Sequence, residues 1–153
     1  MYLFDTDILS AVAKRRLPEA LVEKLARTPT AVQFTSAVTV AEIYFGIFRM
    51  GGVEQAGGAG AIKVEGHRET PQERLLKYVE EQIFARLTIL PFDRETAVVY
   101  GKLRAALERK GRPRFEPDLQ IASIALRHGL TVVTGNVRHF SGIPGLRVEN
   151  WLE

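Results

Sequence analysis

Four polar side chains at the predicted ends of helices and strands carry the kind of oxygen atoms that bind divalent metal ions: Asp5, Glu42, Asp118 and Asn136. Asp5 closes the short apolar run Tyr2 to Phe4, which is typical of a buried strand. An open parallel sheet binds its ligands at the carboxyl ends of its strands, where Asp5 would lie. The pattern predicts a metal site if the fold brings the four residues to one edge of the sheet.

The acidic residues of this set occur where apolar residues are expected. Glu42 is the single carboxylate in the apolar helical pattern of residues 40–48, and a charge in such surroundings is costly unless it is paired or used. Three acids at one sheet edge would repel one another, and a cation resolves that repulsion. Because the chain has no cysteine and no paired histidines, its ligands favour Mg²⁺ or Mn²⁺ over zinc, and these ions suit phosphoryl chemistry.

The alternation of apolar runs with helical patterns predicts an α/β fold with a central parallel sheet of about five strands, flanked by helices. The predicted strands are Tyr2–Asp5, Val32–Ser36, Leu87–Leu90, Leu130–Thr134 and Leu146–Val148. Helices are predicted from Ile8, Pro18, Val40 and Gln72, after a cap at Asp93, and from Asp118 to a cap at Gly129. We expect one domain over residues 1–153, with a flexible Gly-rich loop at 51–70.

The bulk composition narrows the class of protein. Without cysteine, a disulfide framework is excluded, and the cytoplasm is the expected compartment. No signal peptide and no apolar run long enough to span a membrane is present, so no membrane association is expected. The net charge is +3, with a basic cluster between residues 102 and 114. Within that cluster, Arg112 and Arg114 directly precede Asp118 and are candidate contacts for substrate phosphates, unless the cluster is only a solvated surface.

Several short motifs follow one another along nearly the whole chain. They are Phe4-Asp5-Thr6-Asp7-Ile8-Leu9, Thr39 to Gly46 around Glu42, Leu90-Pro91-Phe92-Asp93, Asp118-Leu119-Gln120-Ile121-Ala122, and Val133 to Phe140 around Asn136. In this order and spacing they resemble the PIN-domain ribonucleases, and within that family the VapC-type toxins of toxin–antitoxin pairs. The resemblance implies a single PIN-like domain.

The resemblance also implies roles for individual residues. Asp5, Glu42 and Asp118 are the metal-binding acids, and the fourth catalytic position falls on Asn136, where many relatives carry aspartate. A neutral amide at this position would orient water or bind an ion weakly, which leaves the number of metal ions open. The hydroxyls of Thr6 and Thr134 are candidates to orient the metal-binding acids through hydrogen bonds. The alternative is that they are ordinary hydroxyls at strand ends with no role in the site.

The implied function is a Mg²⁺- or Mn²⁺-dependent endoribonuclease toxin that hydrolyses RNA phosphodiesters with an activated water. The same resemblance implies an RNA substrate, a cognate antitoxin protein and a homodimer. Two other functions fit parts of the sequence. Asp5-Thr6-Asp7 is similar to the opening of haloacid dehalogenase-type phosphatases, in which Asp5 would be the nucleophile. The missing fourth acid also allows a catalytically weak module that binds RNA or a partner protein.

Overall fold

A five-stranded parallel sheet forms the centre of the molecule. The structure is a computed structural model that describes residues 1–14, 17–50, 69–112 and 115–153. Within these ranges the strands are β1 (Tyr2–Phe4), β2 (Gln33–Ser36), β3 (Thr88–Leu90), β4 (Thr131–Val133) and β5 (Arg147–Glu149). They lie in the order β3-β2-β1-β4-β5, and every neighbouring pair is parallel. The predicted sheet is therefore confirmed.

Helices connect the strands, as parallel pairing requires. In the described ranges they are α1 (Thr6–Ala13), α2 (Glu19–Arg27), α3 (Ala37–Met50), α4 (Pro71–Tyr78), α5 (Arg94–Arg109), α6 (Glu116–His128) and α7 (Val137–Phe140). Short 3₁₀ turns at Thr30–Val32 and Phe84–Arg86, and a π-helical turn at Val79–Ile83, complete the connections. None of the helices in the described part of the chain is both long and apolar enough to cross a membrane.

The strand order places a crevice beside β1. The chain builds outward from β1 to β2 and β3 on one side, and continues with β4 and β5 on the other. Where the strand order reverses in this way, the connections leave the sheet in different directions and open a ligand-binding crevice at the strands' carboxyl ends. In the register of this sheet Phe4 lies beside Val133, so the residues that follow them, Asp5 and Thr134, emerge next to each other.

Two apolar clusters hold the helices on the sheet. Adjacent strand residues point to opposite faces, and accordingly Leu3 and Val132 belong to one cluster while Phe4 and Val133 belong to the other. The first cluster packs chiefly against α5 and α6, and the second against α1, α3, the π-helical turn and Trp151. Because the central strands β1 and β4 are covered on both faces, most of their residues are buried and apolar.

Several predicted element boundaries were wrong; helix α3, for example, begins at Ala37 rather than Val40. Helix α1 begins at Thr6 rather than Ile8, because the Asp5 carboxylate caps it by accepting from the Thr6 amide. Helix α6 begins at Glu116 rather than Asp118, because proline is compatible with the first helical turn and Pro117 stands there. The predicted helix from Gln72 to Leu87 is α4 followed by the π-helical and 3₁₀ turns.

Other local predictions are confirmed or fall outside the described residues. Gly129 ends α6 in the left-handed conformation with φ 64°, and Asp93 caps α5 by accepting from the Thr96 amide at 2.9 Å. Residues 51–68 of the predicted Gly-rich loop lie outside the described ranges. The end of that predicted loop is part of a helix start, since Thr70 and Glu73 form a capping box for α4.

Replacement of Trp151 by alanine should strongly destabilise the fold. Trp151 is 2% exposed, and its ring lies 4.8 Å from that of Tyr2 and 5.4 Å from that of Phe4. The cavity left by such a truncation should lower the free energy of unfolding by about 3–5 kcal/mol, measured by urea denaturation. Val98→Ala, at a position that is 53% exposed, is the control and should change it by less than about 0.5 kcal/mol.

Candidate active site

A cavity of about 620 Å³ opens at the carboxyl end of β1, and the four predicted site residues Asp5, Glu42, Asp118 and Asn136 all line it. The other lining residues are Thr6, Asp7, Ser10, Ala11, Lys14, Phe115 and His139. The wall therefore combines residues from four parts of the sequence: α1 with the residue before it, α3, the start of α6 and the start of α7. The reversal of strand order beside β1 accounts for this convergence.

Asp5 is the most buried acid of the cavity, with 7% of its surface exposed. One carboxylate oxygen, Oδ1, accepts from the Thr6 amide at 2.8 Å, and the other, Oδ2, accepts from the Thr134 hydroxyl at 2.9 Å. These two bonds come from the start of α1 and the end of β4. They fix the orientation of the carboxylate, so Thr134 occupies the supporting position that the sequence predicted for it.

Asp7 ties the start of the chain to the segment after β4. Its Oδ2 accepts from the Gly135 amide at 2.7 Å and lies 3.2 Å from the Thr134 hydroxyl. A Cβ atom on Gly135 would lie 3.0 Å from this oxygen and 2.6 Å from a Leu152 methyl, so the close approach requires glycine. The other oxygen of Asp7, Oδ1, is buried and has no hydrogen-bond partner.

Asn136 follows directly in the same turn. Its backbone amide donates to the Thr134 hydroxyl at 3.0 Å, and it precedes α7 without capping that helix through its side chain. The Thr134 hydroxyl thus lies among Asp5, Asp7 and Asn136. This single hydroxyl positions three of the polar groups around the cavity.

Glu42 reaches the cavity from α3. The Ser36 hydroxyl accepts from the Thr39 amide at 2.9 Å and fixes the start of this helix at the end of β2, next to β1. The Thr6 hydroxyl donates to Glu42 Oε2. Thr6 therefore supports Glu42 through its side chain and Asp5 through its backbone amide, which is the supporting role that the sequence predicted.

Asp118 stands in the first turn of α6 and pairs with His139, whose Nδ1 lies 3.2 Å from Asp118 Oδ2. The same turn is anchored to α5 through Glu116, which accepts from the Tyr100 hydroxyl at 2.5 Å. Glu116 also lies 2.6 Å from Arg104 Nη1. This link holds the start of α6, and with it Asp118, at the cavity.

The electrostatics of the cavity favour a bound cation. The pKa of Asp5 is raised to about 7. Burial is the largest cause, and the nearby charges of Asp7 and Glu42 act in the same direction, while the bond from the Thr6 amide opposes them. The three predicted ligands offer only oxygen donors, and the Asp7 Oδ1 atom is buried without a partner. Both features fit a hard divalent cation. Within the described ranges, however, no three acidic or histidine side chains already stand close enough to hold one ion.

Among the described residues, no predicted phosphate contact lies on this wall. Arg112 is exposed and described but does not line the cavity, and Arg114 falls outside the described residues. The cavity instead has a cation that the sequence analysis missed, Lys14, at the end of α1. Residues 7, 10, 11 and 14 line the cavity together, and their spacing on one helix face could have identified Lys14 once Asp5 was placed at the helix start.

Comparison with known proteins identifies the same architecture elsewhere. The sequence profile of the PIN domain matches residues 2–146. The chain is 30% identical to "Ribonuclease VapC2" of Haemophilus influenzae, over 99% of this chain and 98% of that protein. It is 47% identical to the "tRNA(fMet)-specific endonuclease VapC" of Salmonella typhimurium, over 52% of this chain and 59% of that protein.

Solved structures show the same fold. The structure of DNA-bound VapBC from Salmonella typhimurium superposes with a TM-score of 0.77 at 32% identity, covering 98% of this chain and 97% of that chain.

The metal-free protein should lose stability as the pH rises from about 4 to 7, and Asp5→Asn should remove that loss. In this range the folded chain keeps a proton on Asp5, whose pKa is raised from 3.8 to about 7, while the unfolded chain has released it. The unfolded state then binds fewer protons, so the free energy of unfolding falls as the pH rises and levels off above about 7. The wild-type loss attributable to Asp5 is on the order of 4 kcal/mol.

Urea denaturation in EDTA at several pH values measures this effect as the difference between wild type and Asp5→Asn. Asp93→Asn is a matched control of opposite sign. The bonds from Thr96 lower the pKa of Asp93 in the folded chain. The contribution of Asp93 to the free energy of unfolding is therefore present at pH values above the ordinary aspartate pKa and is lost as the pH falls. A difference between wild type and Asp5→Asn that stays constant from pH 4 to 7 would contradict the assignment.

Proposed function

Because this chain belongs to the PIN-domain family, among its VapC-type members, we propose that it is the endoribonuclease toxin of a toxin–antitoxin pair. It hydrolyses RNA phosphodiesters in the cytoplasm with the help of Mg²⁺ or Mn²⁺. The observation that carries this proposal is the convergence of Asp5, Glu42 and Asp118 on one cavity at the reversal point of the sheet.

Asp5, Glu42 and Asp118 hold the divalent cation in this proposal. When bound, the cation lowers the pKa of water and neutralises negative charge on the phosphate. Thr134 and Thr6 keep the acids oriented through the bonds they donate to Asp5 and Glu42. Asn136, on the same wall, contributes a neutral carbonyl or amide where an acid would add charge, and we therefore propose that it orients water.

The reaction is the attack of water on phosphorus with cleavage of the bond to the 3′ oxygen. One product then carries a 5′-phosphate and the other a 3′-hydroxyl. The chain offers neither cysteine nor a paired histidine dyad for a covalent route, and His139 is engaged with Asp118. A product with a 2′,3′-cyclic phosphate would contradict water as the nucleophile.

The basic residues near the cavity supply contacts to the RNA backbone. Lys14 lies on the cavity wall, and Arg112 stands six residues before Asp118 in the sequence, outside the cavity lining. We propose that both contact phosphates on either side of the cleaved bond, and that Arg114 assists them. A transfer RNA is a suitable first substrate to test, since the Salmonella relative is a tRNA(fMet)-specific endonuclease.

We further propose a cognate antitoxin and a homodimer as partners. The solved relative from Salmonella is a VapBC complex. The described part of this chain exposes large apolar side chains on α3, namely Phe45, Phe48 and Met50. A group of exposed apolar residues on one helix is typical of a protein-binding surface.

The phosphatase alternative is disfavoured by the environment of Asp5. Both of its carboxylate oxygens already accept hydrogen bonds, from the Thr6 amide and the Thr134 hydroxyl. The general acid and base of that alternative would be Asp7, whose Oδ2 accepts from the Gly135 amide. Formation of an aspartyl phosphate at Asp5 would weaken the bond accepted by the attacking oxygen, and one oxygen of the proposed acid and base is already engaged.

Conservative replacement of the three acids should abolish RNA cleavage. We expect Asp5→Asn, Glu42→Gln and Asp118→Asn each to lower the single-turnover rate in Mg²⁺ or Mn²⁺ by at least about 100-fold, because the cation loses a charged ligand. The assay follows tRNA(fMet) and an elongator tRNA on denaturing gels. Asp93→Asn, which removes an acid that caps α5 away from the cavity, should retain the wild-type rate.

This experiment also separates the enzyme from a binding module with a degenerate site. RNA that is bound but left intact by the wild-type protein with either metal would favour the module. Cleavage that persists in all three acid variants would overturn the proposed site.

Replacement of Lys14 or Arg112 by alanine should weaken RNA binding without changing the chemistry. Each loss of a phosphate contact should reduce the dependence of the logarithm of affinity on the logarithm of salt concentration by about 0.7 to 0.9. Filter binding of tRNA across a salt series measures this slope. Lys102→Ala removes an exposed charge on α5 that does not line the cavity, and an equal effect of that variant would show that the contacts are nonspecific.

A further inference from the structure

Phe115 is an exposed aromatic side chain on the wall of the acidic cavity. It is 66% exposed and is the one aromatic lining residue apart from the imidazole of His139. An exposed apolar side chain alone would need no explanation. Its position at the entrance to a site built from carboxylates and a lysine makes it unusual, because it offers an apolar surface amid charged groups.

The local structure of α6 gives no reason for a phenylalanine at this position. Phe115 is the residue that precedes the helix, and its carbonyl accepts the first helical bond, from the Leu119 amide at 3.1 Å. Serine, threonine, aspartate and asparagine are preferred there because their side chains cap the helix. Phe115 makes no such capping bond, so helix stability does not account for the residue. Departures from local rules of this kind concentrate at functional sites.

Other exposed aromatic residues in the described ranges have partners. Phe48 stacks on Tyr44 with the ring centroids 5.9 Å apart, and the Arg49 guanidinium lies 5.6 Å from the centre of the Phe45 ring. No ring or guanidinium within the described part of the chain stacks on Phe115. With respect to the described residues, its ring faces are open to a planar ligand.

The distance between Phe115 and Asp118 suits a nucleotide. They are three positions apart, slightly less than one helical turn, which corresponds to an advance of about 4.5 Å along the axis. Their side chains therefore lie on the same side of the helix start, and both line the cavity. A phosphate at the acids would place its neighbouring base within reach of the ring.

We infer that Phe115 is a stacking platform for an RNA base next to the cleaved phosphate, and that it positions unpaired rather than duplex RNA. This inference rests on the proposed ribonuclease function. A base must be unstacked from a helix before it can lie on an aromatic side chain, so the residue selects single-stranded segments such as loops. Every base can stack on an aromatic ring. Phe115 therefore contributes selectivity for unpaired RNA rather than selectivity for a base sequence.

The test measures stacking separately from cleavage. In the Asp5→Asn background, which keeps the RNA intact, a mixed-sequence single-stranded oligoribonucleotide containing 2-aminopurine reports stacking as a loss of its fluorescence. Phe115→Ala should abolish most of the quenching and weaken binding about fivefold or more, the effect expected from one lost base stack. Phe115→Trp should restore both.

Val98→Ala is the control, because Val98 is an apolar side chain that is 53% exposed and does not line the cavity. It should leave quenching and affinity unchanged. Thermal unfolding should show equal stability for both alanine variants. An oligoribonucleotide in which the 2-aminopurine unit is replaced by an abasic unit should bind wild type and Phe115→Ala equally.

Unchanged quenching and affinity in Phe115→Ala would overturn the inference. So would a defect confined to self-association, measured by sedimentation, since that would assign the ring to an interface with a second copy. Failure of the ribonuclease proposal is recognised independently: the protein with all its acids intact would then leave every RNA uncut in Mg²⁺ and Mn²⁺, whatever the fluorescence result.

Discussion

The parallel pairing of β1 with β4 is the constraint on which the rest of the site depends. It aligns Phe4 with Val133, so Asp5 and Thr134 leave the sheet together and the Thr134 hydroxyl can donate to the buried carboxylate. Each neighbouring feature follows from this alignment. The Asp5 carboxylate starts α1, and the turn after β4 brings Gly135 and Asn136 to Asp7 and to the cavity.

The same arrangement explains why the folded chain tolerates buried acids. Isolated carboxylates in an apolar crevice would be costly, and the raised pKa of Asp5 reflects part of that cost. Hydroxyl and amide donors offset it for Asp5, Asp7 and Glu42, and His139 does so for Asp118. The site is therefore already oriented in the protein, while the residual repulsion between its acids favours a positively charged ligand.

The strands, several helix ends and the placement of the acids could be predicted from the sequence, because their signals are local. Apolar runs and helical periodicity predicted all five strands, and Gly129 and Asp93 predicted helix ends that the structure confirms. The convergence of Asp5, Glu42, Asp118 and Asn136 on one cavity was predicted from their places at element ends. Their binding of a metal stays a prediction.

The sequence did not predict the contacts that depend on tertiary placement. Asp7 carries no sequence signal of a distant contact, yet it accepts from the Gly135 amide, 128 positions away in the sequence. Lys14 and Phe115 gave no motif, since one is an ordinary basic residue and the other an ordinary aromatic one until the fold puts both on the cavity wall. The start of α6 was misplaced because Pro117 was taken for a loop residue, whereas proline also suits a first helical turn.

The hydrogen bond between Gly135 and Asp7 joins residues that lie 128 positions apart in the sequence. On the ribosome Asp7 emerges long before Thr134, Gly135 and Asn136, so a nascent chain that has not yet released β4 lacks the support of Asp5. The activity proposed for this protein therefore depends on a late step of folding, the pairing of β4 with β1. The topology delays assembly of the site until that pairing is made.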